Sequence, residues 1–307
     1  MPAATPTDHD SPIPQGSGTL GRFPPLALVI GSIVSVQFGA AISVTIFDEV
    51  GVSGSTFLRL AFASLFLFLL GRPKVSKWSP QQFKMALVFG LTLAAMNLSF
   101  YAAIERLPVG IATTIEFLGP ISIAAVFSRR LLDGLWVLLA AGGVVLIAQP
   151  WSGGGDLELT GVLIALLSAF FWAVYILVAQ RAGEIFPDRD GLTIAMMIGS
   201  LVVFIPGVAA GGEMLVTPHI ILVGAVIGLL SSLIPYTFEL EALRRLPARV
   251  FGTLMSIEPA VAVCTGFIVL GQKPTLLQLF SIGLVVAASI GVTRSARPMP
   301  AEAAIEA

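Results

Sequence analysis

Apolar stretches of about 20 residues recur along nearly the whole of this 307-residue chain. A helix of that length matches the hydrocarbon thickness of a bilayer. Water is absent there, so a spanning segment must satisfy its backbone hydrogen bonds internally, as a helix does. The sequence therefore predicts an all-α polytopic membrane protein with ten transmembrane helices. We place them at 25–47, 54–71, 81–104, 107–127, 131–149, 160–181, 191–211, 219–243, 250–270 and 276–293.

Charge and composition exclude several other classes. Charged residues make up 11% of the chain, against about 25% in soluble domains. The net charge of −1 provides no basic surface for nucleic acid. Cys264 is the single cysteine, so no intrachain disulfide is possible, and we interpret it as a small core side chain. The two histidines are His9 and His219, and we expect no metal site and no cofactor.

Lysine and arginine are distributed unequally among the predicted loops. With the N-terminus inside, inner segments hold 14 of the 17 basic residues and outer segments hold two. The positive-inside rule then places both termini in the cytoplasm, with the protein integral to the inner membrane. Arg59 falls within the second predicted helix, near its outer end, and we expect it to snorkel or to pair with Asp48 or Glu49.

Two halves of the chain share motifs at a constant offset. The sequence Arg-Leu-Pro at 106–108 reappears at 245–247, which is 139 residues later, and Pro120 matches Pro259 at the same offset. Each half has five predicted helices, an odd number, so the two halves enter the membrane in opposite orientations. Inverted repeats are common in secondary transporters, whose sites lie near the midplane between the halves.

This repeat divides the chain into five segments. The tails are rich in Pro, Ser, Thr, Gly or Ala, and we expect them to be disordered and cytoplasmic. The segments are the tail at 1–24, the first five-helix repeat at 25–149, an outer loop at 150–159, the second repeat at 160–293 and the tail at 294–307.

Two glutamates lie near the middle of predicted helices and close to a proline. Glu116 occurs in TTIEFLGP and Glu258 in LMSIEP. Proline has no N–H for the carbonyl four residues earlier, so Pro120 frees the carbonyl of Glu116 and Pro259 frees that of Met255. Intramembrane acids usually mark a pathway, so we interpret both glutamates as substrate- or proton-binding residues and both prolines as hinges. The alternative is a protonated structural carboxyl that is hydrogen-bonded to its neighbours.

Other polar and aromatic side chains share faces of the predicted helices. An amino-acid substrate needs a carboxylate for its ammonium group, donors for its carboxylate and an aromatic wall. We name six further candidate site residues and a third hinge, Pro235. The six are Asn97, Tyr236, Gln37, Trp172, Tyr175 and Ser232.

Each of these candidates has a structural alternative. Gln37 and Ser232 would equally well join helices by hydrogen bonds. Trp172 and Tyr175 would equally well pack against neighbouring helices. Tyr101 lies close to the predicted outer surface and is expected in an aromatic belt. Glu239 lies near the inner end of the eighth helix and is left out of the candidate site.

Four stretches of the chain resemble the EamA branch of the drug/metabolite transporter superfamily, and within it the threonine/homoserine exporters. They are SVQFGAAIS, RLPVGIATTIEFLGPISIAAVFSRR, FFWAVYILVAQRAG and IPYTFELEALRRLPARVFGTLMSIEPAVA. One departure is Gly271-Gln272, where the family commonly has Gly-Glu in a loop. The resemblance implies export of small amino acids or related metabolites, driven by an ion gradient, with protons as the coupling ion.

Three function classes remain to be compared. A secondary exporter or antiporter of a small amino acid explains the repeat and the buried acids. Another small metabolite is the alternative substrate, and an intramembrane enzyme with Glu116 and Glu258 as acid and base is the less favoured class. A channel would need a filter sequence, which we do not find. Glycines 142, 143 and 283 indicate close helix packing or a homodimer face.

Overall fold

The computed structural model describes residues 22–73, 75–127, 131–148, 158–186, 190–243, 245–246 and 248–295. All regular secondary structure in these ranges is helical. The N-terminal tail up to residue 21, most of the predicted outer loop and the C-terminal tail from residue 296 lie outside the described residues. So does Pro247 of the second Arg-Leu-Pro motif.

Thirteen α-helices follow one another in the described ranges, and some abut to form longer, interrupted rods. They are α1 (Pro25–Val44), α2 (Phe47–Gly71), α3 (Pro80–Arg106), α4 (Val109–Glu116), α5 (Leu118–Phe127), α6 (Leu131–Ala148), α7 (Leu159–Ile185), α8 (Asp190–Gly211), α9 (Pro218–Gly228), α10 (Ile234–Leu243), α11 (Ala248–Met255), α12 (Glu258–Leu270) and α13 (Leu276–Ser295). A π-helical turn, Leu229–Leu233, joins α9 to α10.

Eight helical segments of the described chain are long and apolar enough to cross a membrane. Two shorter apolar helices, Val109–Ile123 and Gly134–Ile147, lie between them in sequence. Large apolar side chains point outward along these helices, as lipid-facing surfaces require; Leu201 and Ile205 of α8 are 70% and 76% exposed. The protein is therefore an all-helical, polytopic integral membrane protein.

The second helix begins earlier than the sequence predicts. We expected it at residue 54, but α2 begins at Phe47 and bends at Gly51, whose φ of 68° favours glycine. Asp48 and Glu49 occupy the first turn, where the helix dipole stabilises negative charge. As a result Arg59 lies at the middle of α2, about 18 Å along the helix from Phe47.

Helix pairs connect the first half of the chain with the second. α2 packs on α8, α3 on α7 and α8, α1 on α10 and α12, α4 on α12 and α7, and α6 on α13. A Cβ added at Gly110 of α4 would lie 2.9 Å from the Cα atom of Val263, so glycine is what lets α4 approach α12 this closely.

The other small residues named in the sequence analysis differ in whether they are packed or exposed. Gly143 of α6 contacts the carbonyl of Ser281 on α13, whereas Gly142 and Gly283 face open space. Cys264 is exposed on α12, so the prediction that it is a core side chain was wrong. The error arose because an apolar run in a membrane helix has a lipid face as well as a core face.

Candidate functional site

Two of the interrupted rods break where proline chemistry predicts. α4 ends at Glu116 and α5 begins at Leu118, while α11 ends at Met255 and α12 begins at Glu258. In both rods the first helix thus ends four residues before a proline, because that proline has no N–H to donate to the carbonyl at the break. Glu116 is the last residue of α4, and Glu258 lies in the first turn of α12.

Glu258 is held by a side chain from the other half of the protein. Its Oε1 atom accepts a hydrogen bond of 2.9 Å from Nε2 of Gln37, which lies on α1. The second carboxyl oxygen of Glu258 and the amide oxygen of Gln37 are buried and have no hydrogen-bond partner among the residues described. The sequence names both residues as candidates but gives no sign that they are in contact.

Glu116 is bound separately from Glu258. The hydroxyl of Ser168 on α7 donates to Oε1 of Glu116 over 2.5 Å, and it also lies 3.3 Å from the carbonyl oxygen of Met96. Thr113 is one turn before Glu116, and its buried hydroxyl has no partner within the described part of the chain. Glu116 therefore has one donor of its own and an unsatisfied hydroxyl on the same helix face.

Glu239 lies close to the other two glutamates, although its position near a helix end left it out of the candidate site. Ser32 of α1 donates to its Oε1 atom over 2.5 Å. The charges of Glu239 and Glu116 both act on Glu258, which places three carboxyl groups within electrostatic reach of one another. Its position near the inner end of the eighth predicted helix suggested a surface role, but α1 packs against α10 and brings Ser32 to this carboxyl.

A cavity of about 240 Å³ lies beside these carboxyl groups. Trp172, a predicted binding residue, and Pro120, a predicted hinge, line it together with Glu239. Trp172 makes an edge-to-face contact with Phe117, with ring centroids 5.2 Å apart. The rest of the lining comes from both halves of the chain: Phe117, Ile121, Ile176, Phe251, Gly252, Met255, Ser289, Val292 and Thr293.

Tyr175 of α7 and Tyr236 of α10 form a second pair, within the second half of the chain. The two phenol groups interact with each other, and the charge of Glu239 acts on both. Ser232 is fully buried in the π-helical turn before Pro235, and its hydroxyl has no partner among the residues for which side chains are described. Asn97 donates to the carbonyl of Leu93 in its own helix.

The structure places Arg59 differently from the sequence-based prediction. It is 7% exposed, so it does not snorkel to the surface, and it makes no ion pair with Asp48, Glu49 or any other described acid. Its Nη2 atom instead donates to the carbonyl of Ser231 over 3.0 Å. Ser231 precedes Pro235 by four residues, so the carbonyl that Arg59 binds is the one that this proline frees.

Tyr101 also differs from its predicted place. It is fully buried instead of lying in an interfacial belt, and its ring centroid is 5.4 Å from the Cζ atom of Arg59. Phe47 contacts the same ring, because α2 extends further than the sequence indicates. Asp48-Glu49 is a favourable start for a helix, and it could have shown that α2 begins before residue 54. Arg59 would then have been expected at the middle of that helix, near Tyr101.

Gln272 links the two helices that are interrupted near prolines 120 and 259. Its side-chain carbonyl accepts a hydrogen bond of 3.0 Å from the backbone N–H of Val109, the first residue of α4. Gln272 follows α12, so the bond ties the start of one interrupted helix to the end of the other. The resemblance places this position in a loop, and the structure gives it a partner in the first half.

The sequence of this chain is similar to those of known transporters. Residues 159–294 match the EamA-like transporter family. The chain is 38% identical to the threonine/homoserine exporter RhtA of Escherichia coli strain K12 over 287 residues, which are 91% of this chain and 96% of that protein. RhtA of Salmonella typhimurium strain LT2 is also 38% identical, over 90% of this chain and 93% of that protein.

More distant matches agree in fold. The uncharacterized transporter YxxF of Bacillus subtilis is 24% identical over 80% of this chain and 85% of that protein. A solved crystal structure superposes with a TM-score of 0.59 at 16% identity and covers 88% of this chain and 97% of that chain, so the two share a fold. The relatives are named as transporters or exporters, and the protein is not an enzyme. Interrupted helices, carboxyl groups buried between two halves and these similarities together assign the chain to the EamA-like transporter family.

Proposed function

We propose that this protein is a secondary active exporter of threonine, homoserine or similar small amino acids, coupled to the proton gradient. The observation that carries the proposal is the 38% identity, over 91% of the chain, to proteins named threonine/homoserine exporters. Another small metabolite is the alternative substrate class.

The cavity supports a small zwitterionic substrate. Its volume of about 240 Å³ lies just below the range of about 300–1,000 Å³ that is common for sites of drug-sized ligands, so it suits a small substrate. The carboxyl of Glu239 and the indole of Trp172 line it, so an ammonium group entering it would meet a negative charge and an aromatic face. An apolar substrate would leave this carboxyl without a cationic partner.

The proposed architecture is ten spans in two inverted five-helix repeats. The pairing of helices supports it, because α3 against α7 corresponds to α10 against α1 when the halves are exchanged. Likewise, α5 against α7 corresponds to α12 against α1. The family match at 159–294 also lies close to the proposed second repeat at 160–293.

With the N-terminus in the cytoplasm, the described conformation would face inward. The cavity is lined by Phe251 near the start of α11 and Thr293 near the end of α13, which are the proposed cytoplasmic ends. The bond from Val109 to Gln272 lies at the other end of these helices. Rocking about Pro120, Pro259 and Pro235 would then open the outer side, since each proline lies beside a helix interruption.

We assign different roles to the two glutamates at the interruptions. Glu258 lies in the first turn of α12, where the helix dipole favours a negative charge that can hold the substrate ammonium. Glu116 ends α4, where the dipole opposes that charge, and we assign it the coupling proton. Gln37, Ser232, Tyr236, Tyr175 and Asn97 would orient these groups or the substrate.

Efflux and counterflow test the proposal. Cells that overexpress the protein should tolerate toxic levels of threonine or homoserine and should release the labelled amino acid faster than vector controls. Purified protein in proteoliposomes should drive labelled threonine against its gradient in counterflow, which a channel cannot do. Unchanged tolerance and efflux across a broad amino-acid panel, with the protein confirmed in the membrane, would refute the proposed substrate class.

A homodimer through α6 and α13 also remains a proposal. Gly142 and Gly283 present open, small-residue surface on these two helices. Crosslinking of cysteines introduced at these two positions, in lipid rather than detergent, would reveal such a dimer.

A further inference from the structure

A positive charge without an ion-pair partner among the described residues lies inside the protein. Arg59 is 7% exposed to solvent. It has no carboxylate within ion-pair distance in the described part of the chain. A buried cation without an anion costs several kcal/mol, so such a residue is retained where an anion meets it at some stage.

The guanidinium has spare hydrogen-bond donors. It carries five N–H groups in a planar fork, and the structure assigns one of them to the carbonyl of Ser231. Its Nε atom is buried and has no partner among the described residues. An N–H pair of this kind matches the two oxygens of a carboxylate.

The surroundings of Arg59 also offer hydroxyl groups. Tyr101 lies against the guanidinium, and its hydroxyl has no partner within the described ranges. Ser55 is one turn before Arg59 on α2, and its buried hydroxyl is unpartnered there too. The cluster therefore has more donors than the single backbone carbonyl can use.

Glu116 does not fill this need directly. Its charge interacts with that of Arg59, but its Oε1 atom is bound by Ser168 of α7, and the two residues form no ion pair. Arg59 bonds to the second half of the chain through Ser231, and its charge reaches Glu116, which in turn acts on Glu258. Charges of opposite sign therefore lie near one another inside the protein. A zwitterion has that same separation of charges.

We propose that Arg59, with Tyr101 and Ser55, binds the α-carboxylate of the transported amino acid when the carrier changes conformation. The proposal rests on the proposed function and refines it, because it makes the substrate's carboxylate a requirement and excludes simple amines. Gln37 and Glu258 then hold the ammonium end. Arg59 acts as a substrate-binding residue rather than a surface anchor.

The test compares a substrate with its analogue that lacks the carboxylate. Counterflow of labelled L-threonine in proteoliposomes is inhibited with unlabelled L-threonine or with L-threoninol, in which a hydroxymethyl group replaces the carboxylate. In the wild type, L-threoninol should be weaker by about 10- to 100-fold, the value of a hydrogen-bonded charge. In Arg59→Gln the ratio should fall to about one, and Arg59→Lys should give an intermediate ratio.

Tyr101→Phe provides a second variant that keeps the ring and removes only the hydroxyl. It should lower the ratio by about fivefold, the value of one hydrogen bond, and it tests the cluster even if Arg59→Gln does not fold. A wild type that does not discriminate between the two compounds would overturn the proposal. So would an unchanged ratio in folded Arg59→Lys and Tyr101→Phe, since a purely structural arginine affects both compounds equally.

These outcomes separate the two proposals. If the wild type carries out no counterflow of threonine, homoserine or any amino acid of the panel, the proposed function fails and the carboxylate subsite fails with it. If counterflow is strong but the ratio does not depend on Arg59, the transporter function stands and the subsite alone is refuted.

Discussion

Gln37 donates a hydrogen bond of 2.9 Å to Glu258, although 221 residues separate them in the sequence. The bond joins α1 in the first half to the start of α12 in the second. Because α12 begins at a helix interruption, any movement of that interruption changes the position of the Glu258 carboxyl, which we propose binds the substrate ammonium.

Glu258→Gln should weaken substrate binding. The amide retains size and hydrogen bonding but removes the charge opposite the ammonium group, so the apparent affinity for threonine should fall about 10- to 100-fold. The measurement is the half-saturating concentration in counterflow. Glu184→Gln is a matched control on the exposed side of α7, where the glutamate pairs with Arg181, and it should have little effect. Unaltered affinity in Glu258→Gln would refute the assigned role.

Glu116→Gln should separate coupling from exchange. The neutral amide mimics a permanently protonated carboxyl and can still accept from Ser168, so exchange of threonine should persist. Accumulation driven by a proton gradient in everted vesicles should be lost. Full gradient-dependent accumulation in this variant would show that the coupling proton binds elsewhere.

Gln272→Leu should loosen the outer closure. The leucine cannot accept the N–H of Val109, a loss of about 1 kcal/mol that corresponds to about a fivefold change in equilibrium. In a Cys264→Ala background, a cysteine at Thr113 should then react about fivefold faster with an impermeant maleimide added outside. Gln272→Glu keeps an acceptor at the helix N-terminus and should react like the parent. Equal rates in the leucine and parent proteins would contradict the closure.

Gly110→Ala should destabilise the protein, whereas Gly142→Ala should not. A Cβ at Gly110 would press on the backbone of Val263, and overpacking of this kind costs about 1–3 kcal/mol. Gly142 faces open space, so alanine there should be neutral or should add up to about 1 kcal/mol of helix propensity. Thermal melting of detergent-solubilised protein, followed by size-exclusion chromatography, compares the two. Equal melting temperatures would rule out the close approach of α4 to α12.

Cysteine labelling should establish the orientation. In a Cys264→Ala background, which removes an exposed thiol, cysteines at positions 153 and 213 should react with an impermeant reagent added to intact cells. Cysteines at positions 76 and 247 should react only after permeabilisation. The opposite pattern would reverse the orientation that the distribution of Lys and Arg predicts.

The helix interruptions show how much local sequence determines. Pro120 and Pro259 lack an N–H, so the breaks at Glu116 and Met255 follow from covalent structure and could be predicted without knowledge of any neighbour. The split between α3 and α4 at Pro108 was predicted for the same reason and is confirmed. The membrane class was equally predictable, because the bilayer fixes the length of an apolar helix.

Only the tertiary structure determines which groups the buried side chains contact. Ser168 and Glu116, or Ser32 and Glu239, meet because helices from different halves pack together, and helix periodicity contains no information on which helix will be the neighbour. Arg59 was misplaced because the start of α2 depended on a bend at Gly51. The sequence by itself determined that acids and helix breaks lie within the membrane, since those depend on residue type and on backbone chemistry. The packing of α1, α2, α7 and α10 decided which groups face one another, since only the folded chain brings side chains more than 50 residues apart within hydrogen-bonding distance.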